Sequence, residues 1–225
     1  MSTKFTTPDK ILKEKIGGRE ITILQKLTPD FAVSDKEQCS YVPKGGYVKE
    51  NALLNNGTGK PKGITVHNTP EIEAEPGTDM AEQYQRATYP NCNMRGVAVH
   101  YWVWHDVIWQ QLRDDEQGWH AADGSTPSRD HRGNMSNGNM DTISIECIGP
   151  DLESEETLIL LVACLCRRHG LDPTLDVYTH NYWMHGGDRF FENVGKNCPL
   201  YILPHWDRFL AEVKEAYDSD KKEEK

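Results

Sequence analysis

Three side chains that lie far apart in the chain have the types that bind a transition metal. His67 stands in the short apolar run Ile64-Thr65-Val66-His67-Asn68-Thr69, His180 follows Thr179, and Cys198 sits in Lys196-Asn197-Cys198-Pro199. A polar ring at the end of an apolar strand is costly to bury unless something satisfies it. Two imidazoles and a thiolate form a borderline-soft donor set suited to one Zn2+ ion. Three protein ligands leave the fourth tetrahedral position free, which separates a catalytic zinc from a closed structural one. Any single one of the nine histidines is more often a surface or hydrogen-bonded core residue than a ligand. The signal lies in the combination, and it holds only if His67, His180 and Cys198 meet in space. No His-Glu-x-x-His segment occurs, so a helix-borne metalloprotease site has no support.

The elements that must position these residues alternate in type. Apolar, β-branched runs predict strands over 63–66, 97–104, 107–112, 141–148 and 176–179, with a polar turn at His105-Asp106. Helical spacing of Leu158, Leu161, Val162, Leu165 and Cys166 predicts a long amphipathic helix over 154–169 that Gly170 stops. Further helices are expected over 79–86, with Thr78 as cap, and over 202–217, with Pro204 in the first turn. Strands alternating with covering helices indicate an α/β fold, a central mixed β-sheet flanked by helices. His67 and His180 each follow a strand, and Cys198 precedes the last helix. The irregular stretch 121–140 is long enough to suggest the rim of a binding site.

With 225 residues the chain is long enough to bury a real core without disulfide staples. Its organisation reads as an N-terminal extension over 1–60, partly structured, a main domain over 61–217 and a charged tail over 218–225. In the extension, 20–24 reads as a short strand and 43–47 as a turn. The six cysteines form no regular framework, and Cys164 and Cys166 lie in an apolar helical run that makes core fillers of them rather than a metal-binding pair. A net charge of −10 argues against nucleic acid as a partner, because a phosphate backbone needs a basic footprint. No apolar run is long enough to span a membrane, and Met1-Ser2-Thr3-Lys4 is not followed by the apolar segment of a signal peptide.

Six pieces in order give the chain a family likeness. They are Ile64 to Thr69, Val99-His100-Tyr101-Trp102-Val103, Trp119-His120-Ala121, Asp141-Thr142-Ile143-Ser144-Ile145-Glu146-Cys147, Thr179-His180 and Lys196-Asn197-Cys198-Pro199. Together they resemble the zinc-dependent N-acetylmuramoyl-L-alanine amidases, the family of phage endolysins and peptidoglycan recognition proteins. The resemblance covers roughly residues 62–210. It implies zinc held by His67, His180 and Cys198, Glu146 and Lys196 as catalytic residues, and bacterial peptidoglycan as the substrate. It also makes His120, Trp119 and Tyr101 candidates for substrate contact, the two aromatics being equally readable as groove wall or core. Glu146 alternates with Ile143 and Ile145, so it shares the other strand face with Thr142 and Ser144.

Two departures from the family pattern matter. Ser144 replaces a glycine, and Val99 stands where one branch has a tyrosine, which places the general-base role on Glu146. The stretch 121–140 exceeds the usual spacing and is expected to enlarge a groove wall. A member lacking a ligand would be a peptidoglycan-binding module without catalysis, and another zinc-dependent wall peptidase or deacetylase is the remaining alternative. An endolysin without a signal peptide would be made in the bacterial cytoplasm and reach the wall through a lesion made by a holin. With little chain after the last helix, the expectation is either that a separate wall-binding domain is missing or that residues 1–60 contribute to targeting.

Overall fold

The computed structural model describes residues 7–28, 53–71, 79–88, 97–121, 128–184 and 197–219. The elements in chain order are β1 (Lys10–Ile16), β2 (Arg19–Gln25), α1 (Leu54–Gly57), β3 (Gly63–Thr69), α2 (Met80–Thr88), β4 (Tyr101–Trp104), β5 (Val107–Gln110), β6 (Ser128–Arg129) and β7 (Met135–Ser136). They continue with α3 (Gly138–Asp141), β8 (Thr142–Ile148), α4 (Leu152–His169), β9 (Val177–Thr179), α5 (His180–Met184) and α6 (Trp206–Ser219). Seven strands form one sheet in the order β1-β2-β5-β4-β8-β3-β9, and β6 and β7 make a separate small ribbon. The sheet is mixed: β4, β8, β3 and β9 run parallel, while β5 is antiparallel to β4 and β1 to β2. This is the helix-flanked mixed sheet that the strand and helix pattern implies.

Alternation along the central strands separates two faces. Ile64 and Val66 of β3, Tyr101 and Val103 of β4, and Ile143, Ile145 and Cys147 of β8 point into the core beneath α4 and α6. On the other face Trp102, Trp109 and Ile148 pack under Met80, Ala81 and Tyr84 of α2, with Tyr84 stacked on Trp102 at 5.2 Å. The metal-type residues of β3 lie on this second face. The parallel crossover from β8 to β9 is made by α4, whose ends are well defined. Asp151 caps it by accepting the Ser154 N–H at 2.7 Å, and Gly170 closes it in the left-handed conformation. Cys164 and Cys166 are both buried in the core on α4, and burial pushes both thiols up.

Several boundaries move. The strand expected over 97–104 begins only at Tyr101, because Ala98 bonds to Trp119 in an isolated bridge first. The last helix starts at Trp206 after a 3-10 turn over Leu203–His205 that takes Pro204. Asp79 accepts the Glu82 N–H as the cap of α2, and Thr78 lies outside the described residues, as do Cys39, Cys92 and the turn expected over 43–47. Among its described residues the extension carries two strands where one is expected. β1 and β2 form a hairpin over Gly17 and Gly18, whose φ values of 60° and 72° suit the tight turn that glycines favour. That hairpin joins the main sheet through β2 and β5.

A part-buried charge cluster ties this edge to α4. Asp114 accepts bonds from Tyr101, Arg168 and Gln110, with His169 Nε2 at 2.9 Å. Burial alone would raise the Asp114 pKa, but His169, Tyr101 and Arg168 outweigh it and hold the carboxyl at about 2. Because the folded value lies below the ordinary 3.8, the stabilisation is complete above that pH and is lost as pH falls toward 2. Asp114→Asn is therefore expected to cost about 2–3 kcal/mol at neutral pH by weakening this part-buried cluster, in which Arg168 keeps Glu14 at 3.0 Å. In urea denaturation the gap between variant and parent should narrow by about 2 kcal/mol between about pH 4 and pH 2. A gap that stays constant over that window would show that Asp114 is not the titrating group.

Candidate metal centre

The sheet brings the three expected ligands together from three chain segments. β3 and β8 pair in parallel with His67 opposite Glu146 and Thr65 opposite Ser144. On the other side of β3, Val66 lies opposite Thr179, so His180 leaves β9 beside His67. The Cys198 segment is fastened to the same place by Asn68. Its Oδ1 accepts from the N–H groups of Tyr201 at 3.0 Å and Ile202 at 3.4 Å, and its Nδ2 donates to the Cys147 carbonyl at 3.2 Å. The Asn181 N–H adds a bond to the Cys198 carbonyl at 2.8 Å. His67 Nδ1 lies 3.0 Å from His180 Nδ1 and 3.8 Å from Cys198 Sγ. One donor atom from each residue lies within 4.8 Å of the others, and all three side chains are buried.

The donor set fits zinc on hydrogen-bond grounds as well as on distance. His180 Nε2 faces the Ala121 carbonyl at 2.7 Å. A carbonyl has no proton to give, so Nε2 carries the proton and Nδ1 presents a lone pair toward His67 and Cys198. His67 can do the same, because its Nε2 lies 3.0 Å from His120 Nδ1, a ring nitrogen able to accept. A tetrahedral ion with bonds of about 2.0 Å to nitrogen and 2.3 Å to sulfur needs its ligand atoms roughly 3.3–3.6 Å apart, which the observed 3.0 Å and 3.8 Å bracket.

The other expected site residues fall in different places. Glu146 stands on the ligand face, with Oε1 3.8 Å from His67 Nδ1, and Thr69 donates to its Oε2 at 2.6 Å. That bond holds one carboxylate oxygen and leaves the other beside the ligands. His120 backs His67, and its Nε2 is buried. Burial, with His100 and His180 nearby, holds its pKa well below the usual histidine range. Of the two readings open for Tyr101, groove wall or core, the structure shows the core. Pairing opposite Ile145 puts it on the α4 face, fully buried, with its hydroxyl on Asp114. Of the three residues expected to contact substrate, only half-buried Trp119 keeps solvent exposure. Lys196 lies outside the described residues.

Sequence reasoning missed the polar residues that support the ligands. Asn139 accepts the backbone N–H groups of His120 and Ala121, each at 2.7 Å. His100 joins β4 to β8: its Nδ1 accepts from the Ser144 N–H at 3.0 Å, and its Nε2 donates to the Glu116 carbonyl at 2.8 Å. Burial pushes its pKa down to about 4 against that carbonyl bond, so the ring stays neutral. A second group, Glu71, His105 and Asp151, also brings ligand atoms within 4.8 Å, but it is more exposed, and both Asp151 oxygens already bond Ser154.

A mixed α/β sheet that presents two histidines, a cysteine and a neighbouring glutamate on one face has the make-up of a mononuclear zinc hydrolase. The family model described as N-acetylmuramoyl-L-alanine amidase matches residues 57–200, and the chain belongs to that family. It is 30% identical over 160 residues to the N-acetylmuramoyl-L-alanine amidase CwlH of Bacillus subtilis (strain 168), covering 69% of this chain and 54% of CwlH. It is 29% identical over 154 residues to XlyA of the same organism, covering 67% of this chain and 43% of XlyA. The chain thus spans about half the length of these two relatives. Among solved structures, a mutant endolysin from Bacillus subtilis matches with a TM-score of 0.56 and 27% identity, over 86% of this chain and 99% of that one. The catalytic domain of XlyA matches with a TM-score of 0.55 and 25% identity, over 84% and 99%.

Proposed function

We propose that this chain hydrolyses the amide bond between N-acetylmuramic acid and L-alanine in bacterial peptidoglycan. The observation that carries the proposal is the convergence of His67, His180 and Cys198 with Glu146 on one face of β3 and β8. Bound zinc supplies Lewis acidity, polarising the amide carbonyl and lowering the pKa of a water molecule. Glu146 accepts the proton of the attacking water as its oxygen adds to the carbonyl carbon, and returns it to the departing amine of L-alanine. The C–N bond breaks, leaving a lactyl carboxylate and a free amine. Thr69 keeps the Glu146 carboxylate turned for this exchange through its 2.6 Å bond. Lys196 supplies a positive charge for the tetrahedral oxyanion, and Trp119 contacts the substrate.

The biological setting we propose is that of a phage or prophage endolysin. Its partner is the peptidoglycan itself and not nucleic acid, in keeping with the net charge of −10. It is made in the bacterial cytoplasm and released to the wall through a holin lesion. Similarity to an endolysin structure supports this setting. Among the described residues no helix is long and apolar enough to cross a membrane. The whole chain, incubated with purified peptidoglycan, should create free L-alanine amino termini without new reducing ends. New amino termini at cross-links would reassign it as an endopeptidase, and binding without any product would make it a recognition module.

A further inference from the structure

We propose that Asn139 is the positioning residue of the metal centre, one carboxamide oxygen that sets both histidine ligands at once. The inference rests on the zinc site proposed above. Asn139 is 5% exposed, and its Oδ1 accepts the N–H groups of His120 and Ala121 at 2.7 Å each. Those two consecutive residues are the ones the ligands lean on. The His120 ring receives His67 Nε2 at 3.0 Å, and the Ala121 carbonyl receives His180 Nε2 at 2.7 Å. The two ligands are 113 residues apart in sequence, yet the orientation of each ring passes through the same clamped pair. A ring whose outer nitrogen loses its partner can rotate, and its lone pair leaves the metal direction.

The turn that carries Asn139 is itself built for close approach. A Cβ at Gly138 would stand 2.6 Å from the Ala121 Cβ and 2.8 Å from Trp183 Cδ1. Only glycine lets α3 sit this close to the Ala121 methyl and the Trp183 ring, with the next side chain bonded to the backbone at 120–121. A directed chain of hydrogen bonds holds α3 in place. Trp183 Nε1 donates to Thr65 Oγ1 at 2.8 Å, and Thr142 Oγ1 donates to the Gly138 carbonyl at 2.7 Å. The remaining proton therefore runs from Thr65 Oγ1 to Thr142 Oγ1 across 2.6 Å. This chain ties α5, which begins with His180, through β3 and β8 to the turn bearing Asn139. The end of the irregular stretch 121–140 thus serves the ligands from behind.

The test is zinc affinity, measured on the whole chain by competition with a chromophoric chelator, with Co2+ absorption as a second readout. Asn139→Leu keeps the side-chain volume and removes the acceptor. It should weaken zinc binding by about 10–100-fold, the usual cost of losing an outer hydrogen bond to a ligand, and alter the visible Co2+ bands. Asn139→Asp keeps the oxygen and should bind zinc as the parent does. An Asn139→Leu protein with parental zinc affinity and Co2+ spectrum overturns the inference while leaving the metal centre intact, even if it melts earlier. If Asn139→Leu does not fold, Asn139→Ala takes its place: a loss of at least about tenfold in zinc affinity supports the oxygen's role, and parental affinity overturns it. A parent chain that binds no zinc overturns the metal-centre reading and this inference with it.

Discussion

Glu146→Gln should bind zinc as the parent does and lose turnover on peptidoglycan by about 100- to 10,000-fold, the contribution of a positioned general acid–base. The substitution is nearly isosteric. Its amide oxygen can still accept the Thr69 hydroxyl bond now made at 2.6 Å, so the strand and its neighbours stay in place. What it cannot do is take a proton from water and hand it to an amine. Glu146 stands beside the group of three metal donors, His67, His180 and Cys198, and is not part of it. Metal content and chemistry therefore separate cleanly in this variant. Released amino groups per minute at saturating substrate, with zinc content on the same sample, make the comparison. Turnover within a few-fold of the parent would remove Glu146 from the proton-transfer role and leave the zinc donors untouched.

How far the site is legible without coordinates depends on whether a residue's job is local. His67 and Glu146 read correctly as occupants of strands because alternation and β-branching are local signals, and α4 reads well because the Leu158-to-Cys166 stripe and Gly170 are near in sequence. The face on which Tyr101 lies is not local. It is set by the pairing of Tyr101 with Ile145 across β4 and β8, and a slip of one residue would have sent Trp102 to the core instead. His120 is hidden for the same reason: only the fold turns it onto His67. Asn139 reads as an ordinary turn residue, since asparagine favours turns. The backbone it clamps, at His120 and Ala121, is 18–19 residues upstream. β1 was obscured by its charges, Lys10-Ile11-Leu12-Lys13-Glu14-Lys15-Ile16, although the Gly17-Gly18 pair behind it was a usable hairpin signal.

Cys198→Ser should fold as the parent does and lose zinc, and with it all hydrolysis. A serine hydroxyl does not ionise near neutral pH and is a poor substitute for thiolate as a zinc donor. The affinity loss should therefore exceed the roughly 100-fold upper range for an outer hydrogen bond. The fold should survive because bonds to the backbone hold this segment. The Asn68 carboxamide bonds the N–H groups of Tyr201 and Ile202, and Asn181 bonds the Cys198 carbonyl, so the segment stays docked while one donor is gone. Cys147 and Cys166 provide the contrast. They are just as buried, and among the described residues neither joins a group of metal donors. Serine at either position should lower stability by introducing a hydroxyl into the core and leave zinc stoichiometry unchanged. Equilibrium dialysis with metal analysis and circular dichroism on the three variants reads both properties. Parental zinc affinity in Cys198→Ser would break the donor set at its sulfur, and a two-histidine centre would then need its third ligand from elsewhere in the chain.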